Sequence, residues 1–140
     1  MKEIKVKNAA LVNLRSFPDK RGNLSVAEIE KELPFPVKRI FFIHNVKRKA
    51  ERACHATRVQ QEVLFCLNGS LKAEVDDGVN KKTILLNNPA QGLHIGKYVW
   101  RTLSDFSKDC IILALANTKY LKDDHITDYQ EFLKEAARKK

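Results

Sequence analysis

The segment from Arg52 to Ser70, RACHATRVQQEVLFCLNGS, restricts the possible folds more than any other part of the chain. Its second half is a short apolar run that ends at Asn68-Gly69. Asn-Gly between two apolar runs is a strong signal for a two-residue hairpin turn. The segment therefore predicts a buried strand that turns back directly into the next one.

The same pattern of short strands and turns continues on both sides of this segment. The stretch VKRIFFIHNV is rich in the β-branched and aromatic side chains that favour strands, and Asp76-Asp77-Gly78 is a second turn signal. No helical periodicity is present between residues 37 and 116. Strands at such short, regular spacing are typical of a sandwich or barrel. The predicted strands cover residues 37–46, 62–67, 71–75, 83–86, 92–95, 99–103 and 110–116.

The C-terminus has a different pattern, because the sequence DYQEFLKEAARK at residues 128–139 predicts a helix. Asp128 is a favourable N-cap, and Glu131 stands where a capping-box partner would be. Phe132, Leu133 and Ala136 form one apolar stripe, which we expect to pack on the barrel wall. We predict a single domain spanning the whole chain, all-β with a C-terminal helix.

The composition excludes several classes of protein. The chain has 140 residues, of which 44% are hydrophobic and 31% charged, as in an ordinary globular domain. No apolar run approaches the roughly 20 residues of a membrane-spanning helix, and the N-terminus lacks the pattern of a signal peptide. Cys54, Cys66 and Cys110 are odd in number and far apart, which argues against a disulfide framework and favours the cytoplasm.

The net charge of +9 is compatible with nucleic acid, a membrane surface or an anionic metabolite as partner. Five basic side chains lie within residues 47–58, and Arg138, Lys139 and Lys140 form a basic tail that suits a helix end. The sequence contains no RNA-recognition motif, zinc-finger spacing or basic-leucine pattern. We therefore expect an anionic metabolite rather than nucleic acid or a membrane.

The residues around the first predicted hairpin resemble the first signature of the cupins, which are small jelly-roll barrels. That signature is His-x-His-x4-Glu-x6-Gly. His55, Glu62 and Gly69 fit this signature, but Thr57 replaces its second histidine. Arg101, in IGKYVWR, stands where the second cupin signature has another histidine. Metal-binding cupins use three histidines and a glutamate. Since a guanidinium cannot ligate a cation and repels it, we expect no metal and no other cofactor.

Most of the chain, from about Arg21 onward, resembles the TDP-4-keto-6-deoxyhexose 3,4-ketoisomerases, metal-free cupins of deoxysugar biosynthesis. The segments that carry the resemblance are RGNLSVAE, LPFPVKRIFFI, RACHAT, QEVLFCLNGS, VDDG, GLHIG, VWRTLSDFS, ILALA and YLKDDHITDYQEF. The resemblance implies a cupin-type jelly-roll barrel with a C-terminal helix, a homodimer, and a cytoplasmic isomerase. Its substrate would be a TDP-linked sugar destined for structures such as lipopolysaccharide O-antigen.

Enzymes of this family move a ketone from carbon 4 to carbon 3 of the sugar. A base removes the proton at carbon 3 to give an enediol, and a proton is then returned at carbon 4. The reaction needs a group that titrates near neutral pH and donors that stabilise the charge of the intermediate. Histidine suits the first role, because its ordinary pKa is about 6.5.

The resemblance also implies roles for individual residues, through the family motif Arg-Gly-x-His-x-His. His55 becomes the acid/base, and Arg52 holds the diphosphate through two hydrogen bonds. We expect Arg101 to contact the sugar or stabilise developing charge, and His94 to be a second proton carrier if it faces the pocket. His125 is predicted to lie at the surface. The other expected ligand contacts are Thr57, Arg21, Arg39, Lys72 and Trp100, the last with core packing as its alternative.

Thr57 is the departure from the family motif that matters most, because a hydroxyl cannot act as a base near neutral pH. Three hypotheses remain open. His55 alone could carry the proton while Thr57 positions the sugar, the chain could be a related 3,5-epimerase, or the barrel could bind the sugar nucleotide without turnover. The family varies at Arg21 and Arg101 with the face of protonation. Arginine at both positions leaves the stereochemistry of the product open.

Overall fold

Residues 1–139 are described by the computed structural model, which arranges them in thirteen short strands and one helix. Lys140, the last residue of the predicted basic tail, lies outside the described residues. The strands are Lys2–Glu3 (β1), Ala9–Asn13 (β2), Arg15–Asp19 (β3), Gly22–Val26 (β4), Arg39–Ile43 (β5), Arg52–Thr57 (β6), Glu62–Asn68 (β7), Leu71–Asp76 (β8), Lys81–Leu86 (β9), Gln91–Ile95 (β10), Trp100–Ser104 (β11), Ile111–Ala116 (β12) and His125–Ile126 (β13), and the helix is Tyr129–Arg138 (α1).

Two antiparallel sheets form the body of the protein. The first has the strand order β1-β2-β10-β7-β12-β5 and the second β13-β6-β11-β8-β9. Apolar side chains from both sheets meet in one core, including Leu64 of β7, Ala73 of β8 and Leu103 of β11. This jelly-roll arrangement confirms the predicted all-β fold with a C-terminal helix. Within residues 1–139 the strands form two facing sheets, not a single closed ring of hydrogen bonds.

Each strand predicted from the sequence is present within a few residues of its predicted limits. The predicted ranges did not include β6, β13 or the strands before residue 37. β1 and β2 extend the first sheet, whereas β3 and β4 form a separate hairpin whose side chains are almost all exposed. The hairpin has no buried alternating face, and β3 contains Pro18, so it lacks the pattern on which strand prediction depends. No helix in the described part of the chain is long and apolar enough to cross a membrane.

The C-terminal helix begins as the sequence predicts and fixes the strand that carries the site. The carboxylate of Asp128 accepts a hydrogen bond from the backbone N–H of Gln130. Phe132 and Ala136 are buried in a cluster with Ala56 of β6 and Ile126 of β13. Because successive side chains of a strand point to opposite faces, the residues on either side of Ala56 face away from the helix.

Candidate active site

β6 and β11 carry the two central residues of the site. His55 lies opposite Arg101 in the register of these antiparallel strands, so the two side chains emerge on the same face. The strand is irregular just before His55, because Ala53 and Cys54 both adopt left-handed backbone angles, with φ of 69° and 56°. The register also shifts between Arg101 and Thr102. Bulges of this kind often change the direction of a side chain beside a functional site.

Arg101 is completely buried, and its charge is balanced by Glu62 of β7. Nη1 donates to Oε1 of Glu62 at 3.0 Å, and Nη2 donates to the hydroxyl of Thr57 at 3.2 Å and the carbonyl of Val99 at 2.9 Å. The Nε–H group has no partner in the described residues. Burial lowers the pKa of Arg101 and Glu62 opposes this shift, so the guanidinium stays charged. A buried donor without a partner is unusual, and a ligand reaches Nε of Arg101 only when the surrounding side chains move aside.

Aromatic rings from the C-terminal segment form a second side of the site. The ring of His125 stacks on that of His55, with 4.2 Å between centroids and 13° between planes. The ring of Tyr120 meets His125 edge-on at 6.4 Å. The guanidinium carbon of Arg39 lies 5.8 Å from the Tyr120 ring and 5.0 Å from that of Phe41. We call His55, His125, Tyr120, Arg39 and Arg101 the histidine–arginine cluster.

A chain of hydrogen bonds connects the two arginines of this cluster. Nη2 of Arg39 donates to Oε1 of Gln60 at 2.9 Å, and Nε2 of Gln60 donates to Oε2 of Glu62 at 3.3 Å. Glu62 in turn pairs with Arg101. Nη1 of Arg39 is buried and without a partner among residues 1–139. Arg39 thus reaches Glu62 only through Gln60 and has no carboxylate partner of its own among the described residues, so its charge suits an anionic ligand.

His55 is half-buried and its pKa is strongly shifted. Burial, and after it the positive charge of Arg101, lower the pKa of His55 to about 4. At neutral pH the imidazole is therefore uncharged and able to accept a proton. The arrangement places a base beside a fixed cation, which is the combination that enolisation of a ketone requires.

Asp124 holds the C-terminal segment in this position. It is buried, and its carboxylate accepts hydrogen bonds from the backbone N–H groups of Arg58, Val59 and Gln60 at 3.0, 2.7 and 2.9 Å. These three donors belong to the turn that follows β6. The carboxylate therefore ties the residue next to His125 to the strand that carries His55.

Substituting Asp124 with alanine is expected to reduce the free energy of unfolding by about 3 kcal/mol, because three donors lose a charged acceptor. Urea denaturation at pH 7 measures this change. The Asp124→Asn variant is the matched control, since it keeps one acceptor oxygen and should cost less. A loss below about 0.5 kcal/mol in the alanine variant would show that the segment is held by other contacts.

Two of the residues expected to bind ligand serve instead as internal partners. Thr57 has no exposed surface, and its hydroxyl donates to the carbonyl of Gln60 at 2.8 Å while accepting from Arg101. It supports Arg101 and would reach a ligand only if its present partners moved. Trp100 follows the alternation of β11 to the opposite face, where it packs edge-on against Tyr129 with 5.2 Å between ring centroids. This packing agrees with the core alternative for Trp100, and a contact of its ring with a ligand stays a prediction.

His94 and Lys72 do not join the histidine–arginine cluster, contrary to expectation. His94 lies opposite Val63, on the outer face of the first sheet, and its Nε2 donates to Oε1 of Gln61 at 3.0 Å. Its ring packs near Phe35, so the condition that it face the pocket is not met. Lys72 alternates with the core residue Ala73 and pairs with Asp105 at 3.0 Å on the outside of the second sheet. In both cases the alternation of side chains along the strand directs the residue away from the histidine–arginine cluster.

The other expected contacts have different positions. Arg39 lies in the cluster, as described above. Arg52 is exposed at the start of β6, opposite Leu103. Arg21 is in the turn of the β3–β4 hairpin, where it pairs with Asp19 and its side chain is 90% exposed. Contacts of Arg52 and Arg21 with a diphosphate or sugar stay predictions.

The sequence analysis did not single out Tyr120, Gln60 and Asp124. His125 is exposed, as predicted, but its ring also stacks on that of His55. Three of these residues lie in the segment YLKDDHITDYQEF, which carried part of the family resemblance. The resemblance alone did not show that this segment returns to β6. Only the pairing of β13 with β6 brings His125 next to His55.

Fold and site together define a cupin-type jelly roll with a guanidinium beside its central histidine. Within residues 1–139 no group of three or more histidine, cysteine, aspartate or glutamate side chains is arranged to hold a metal ion. The family model described as "FdtA: WxcM-like, C-terminal" matches residues 7–137, and the chain belongs to this family.

Characterised relatives of this chain are similar over nearly their whole length. The TDP-4-oxo-6-deoxy-alpha-D-glucose-3,4-oxoisomerase of Aneurinibacillus thermoaerophilus is 38% identical over 128 residues, which are 91% of this chain and 92% of that protein. The structure of QdtA, a sugar 3,4-ketoisomerase from Thermoanaerobacterium thermosaccharolyticum in complex with TDP, is 36% identical, with a TM-score of 0.91 over 95% of this chain and 97% of that one. The WlaRB TDP-quinovose 3,4-ketoisomerase from Campylobacter jejuni is 38% identical, with a TM-score of 0.88 over 92% and 99% of the two chains.

Proposed function

We propose that the protein binds a TDP-linked 4-keto-6-deoxyhexose and catalyses its 3,4-ketoisomerisation. The observation that carries the proposal is the placement of the neutral imidazole of His55 beside the buried, charged guanidinium of Arg101 on one face of β6 and β11. Membership of the family and the activities of relatives at 36–38% identity support it.

The reaction assigned to these residues is an enolisation in two directions. His55 removes the proton from carbon 3, and the electron pair moves toward the carbonyl at carbon 4. The positive charge and free N–H of Arg101 stabilise the resulting enediolate. His55 then returns a proton to carbon 4 as the ketone forms at carbon 3. One C–H bond breaks and one forms, and the hydroxyl proton passes from the oxygen on carbon 3 to that on carbon 4, so no oxidant or reductant is required.

Binding of the TDP part is assigned to basic side chains around the cluster. Arg39 has one guanidinium N–H group without a partner in the described residues, and Arg52 is exposed at the start of the strand that carries His55. A guanidinium can hold two phosphate oxygens at once. We assign the diphosphate to these two residues, with Arg21 as a further contact with the ligand.

The wider setting of the enzyme follows from the same family. We propose a single domain over the whole chain, a homodimer, a cytoplasmic location, and a role in making deoxysugars for lipopolysaccharide O-antigen.

Exposed apolar side chains support a second copy as partner, because Ile40 and Phe42 on the edge strand β5 are 62% and 63% exposed. Phe17 and Leu24 of the β3–β4 hairpin are also exposed.

The proposed function is tested by incubating the protein with TDP-4-keto-6-deoxyglucose in D₂O and following the sugar by NMR. We expect a 3-keto product that carries deuterium from the solvent. Deuterium at carbons 3 and 5 without migration of the ketone would instead identify an epimerase. Binding of TDP with neither change would identify a sugar-nucleotide-binding protein without this activity.

The shifted pKa of His55 predicts an unusual pH profile. Since the base is neutral down to about pH 4, the acid limb of kcat/KM should lie near pH 4 and not near 6.5. The lowered pKa of His55 also predicts how the free energy of unfolding changes with pH. Protonation of a group whose pKa is lower in the folded state favours unfolding, so stability should fall as pH drops from about 6.5 toward 4.

Initial rates between pH 4 and 8 measure this profile, with circular dichroism at each pH to confirm that the protein is folded. The His55→Asn variant is the control for stability, because it should show a shallower loss over the same range. An acid limb near pH 6.5 in the folded wild type would contradict the low pKa assigned to His55.

A further inference from the structure

The proposed isomerisation moves two protons, and His55 accounts for only one of them. His55 carries the proton that leaves carbon 3 and the one that reaches carbon 4. A second group must deliver a proton to the oxygen on carbon 4 and remove one from the oxygen on carbon 3. Thr57 cannot do this, since its hydroxyl is enclosed and engaged with Gln60 and Arg101.

The register of the second sheet brings another imidazole to the same face. His125 lies directly opposite Thr57 in the pairing of β13 with β6. Side chains at paired positions share a face of the sheet, as do residues two apart on one strand. His125 therefore emerges on the side where His55 emerges, and the two rings stack with 4.2 Å between centroids.

The orientation of the rings suits transfer to neighbouring atoms. The planes differ by only 13° and the centroids lie 4.2 Å apart, so the two rings are nearly parallel and in contact. Adjacent carbon and oxygen atoms of one sugar ring can be reached by two groups at this spacing. His125 is exposed while His55 is half-buried, which allows His125 to exchange protons with water between turnovers.

We propose that His125 is a second catalytic residue, which carries the proton between the two sugar oxygens while His55 carries the proton between the two carbons. This role rests on the proposed 3,4-ketoisomerase activity. In the forward direction a proton passes from His125 to the oxygen on carbon 4 as His55 deprotonates carbon 3. His125 then accepts the hydroxyl proton from the oxygen on carbon 3 as His55 protonates carbon 4, and both imidazoles return to their starting states.

The paired imidazoles are surrounded by groups from β11 and from the segment before β13. Arg101 of β11 adds positive charge next to His55 and Asp124 adds negative charge from the segment before β13. Tyr120 meets the His125 ring edge-on. An alternative role for His125 is structural, as a flat surface that only holds His55 in place.

Two substitutions separate the catalytic role from the structural one. His125→Phe keeps an aromatic ring to stack on His55 but removes the proton carrier, whereas His125→Ala removes both. The control is His44→Phe, because His44 is an exposed histidine that also contacts an aromatic ring, that of Phe42 at 5.6 Å, outside the cluster. The reaction is run with TDP-4-keto-6-deoxyglucose in D₂O, and NMR measures both deuterium uptake at carbon 3 and formation of the 3-keto product.

For His125→Phe we expect ketone migration to slow by about 10²-fold, the lower part of the range for general acid–base catalysis. Deuterium uptake at carbon 3 should slow by less than about tenfold, because His55 remains. His44→Phe should behave as wild type. If His125→Phe isomerises at the wild-type rate, or if uptake and migration fall in equal proportion, the proton-carrying role of His125 is wrong.

The result for the wild type separates this proposal from the proposed function. A wild-type protein that isomerises the sugar while His125→Phe does so equally well overturns only the role of His125. A wild-type protein that binds TDP but shows neither migration nor uptake overturns the proposed function and the role of His125 together.

Discussion

Replacing His55 with asparagine is expected to lower kcat for ketone migration by about 10²–10⁴-fold, the range attributed to a positioned acid or base. Asparagine is close to histidine in size but has no group that titrates near neutral pH. Since the diphosphate is assigned to arginines, the affinity for TDP should stay within about threefold of wild type. NMR turnover assays and calorimetric titration with TDP measure the two quantities separately.

His94→Asn is the matched control for this substitution. The residue type and the change are the same, but His94 lies on the outer face of the first sheet, hydrogen-bonded to Gln61. We expect its turnover to stay within about threefold of wild type once the fraction of folded protein is measured. Equal losses in the two variants would mean that the face on which each histidine lies does not decide its role.

Removing the charge partner of Arg101 should have the largest effect on stability. Arg101 has no exposed surface, and the side chains of Arg101 and Glu62 are only 1% and 7% exposed. Arg101 also donates hydrogen bonds to Thr57 and Val99. The Glu62→Ala variant leaves this cation buried without the carboxylate that pairs with it. We expect a loss of about 3–5 kcal/mol in the free energy of unfolding, measured by urea denaturation.

The double variant Glu62→Leu with Arg101→Leu provides the control. Replacing both members of a buried pair by apolar groups is often close to neutral, so the double variant should be more stable than Glu62→Ala alone. It should also lose isomerase activity, because the group that stabilises the enediolate is gone. A Glu62→Ala variant that loses less than about 1 kcal/mol would show that Arg101 is neutralised by another group.

The sequence predicted those parts of the fold that depend on local pattern. The strand that ends at Asn68-Gly69 has a continuous apolar run followed by residues that favour a tight hairpin turn. The structure has the strand as β7 and the strand after the turn as β8. The helix after Asp128 has its cap and its buried stripe in the expected places. The β3–β4 hairpin was missed because its residues are exposed, and burial is the source of the alternating pattern that identifies strands.

The sequence identified part of the candidate site, and the placement of the other residues depends on how the strands pair. His55 and Arg101 were recognised from their motif, and the register of β6 and β11 places them together. His94 lies on the outer face of the first sheet, whereas His125 is exposed, as predicted, and also stacks on His55. The face on which a strand side chain lies depends on the register, since a shift of one residue reverses it. The pairing of His125 with Thr57 joins residues far apart in sequence, and no local signal reports it.

The most direct test of the account is the crystal structure of the His55→Asn variant with TDP-4-keto-6-deoxyglucose. The account predicts that carbons 3 and 4 of the hexose lie within about 3.5 Å of the substituted side chain, with a sugar oxygen in hydrogen-bond range of the Arg101 guanidinium. A hexose bound on the outer face of the first sheet beside His94, or directed away from both β6 and β11, would contradict it.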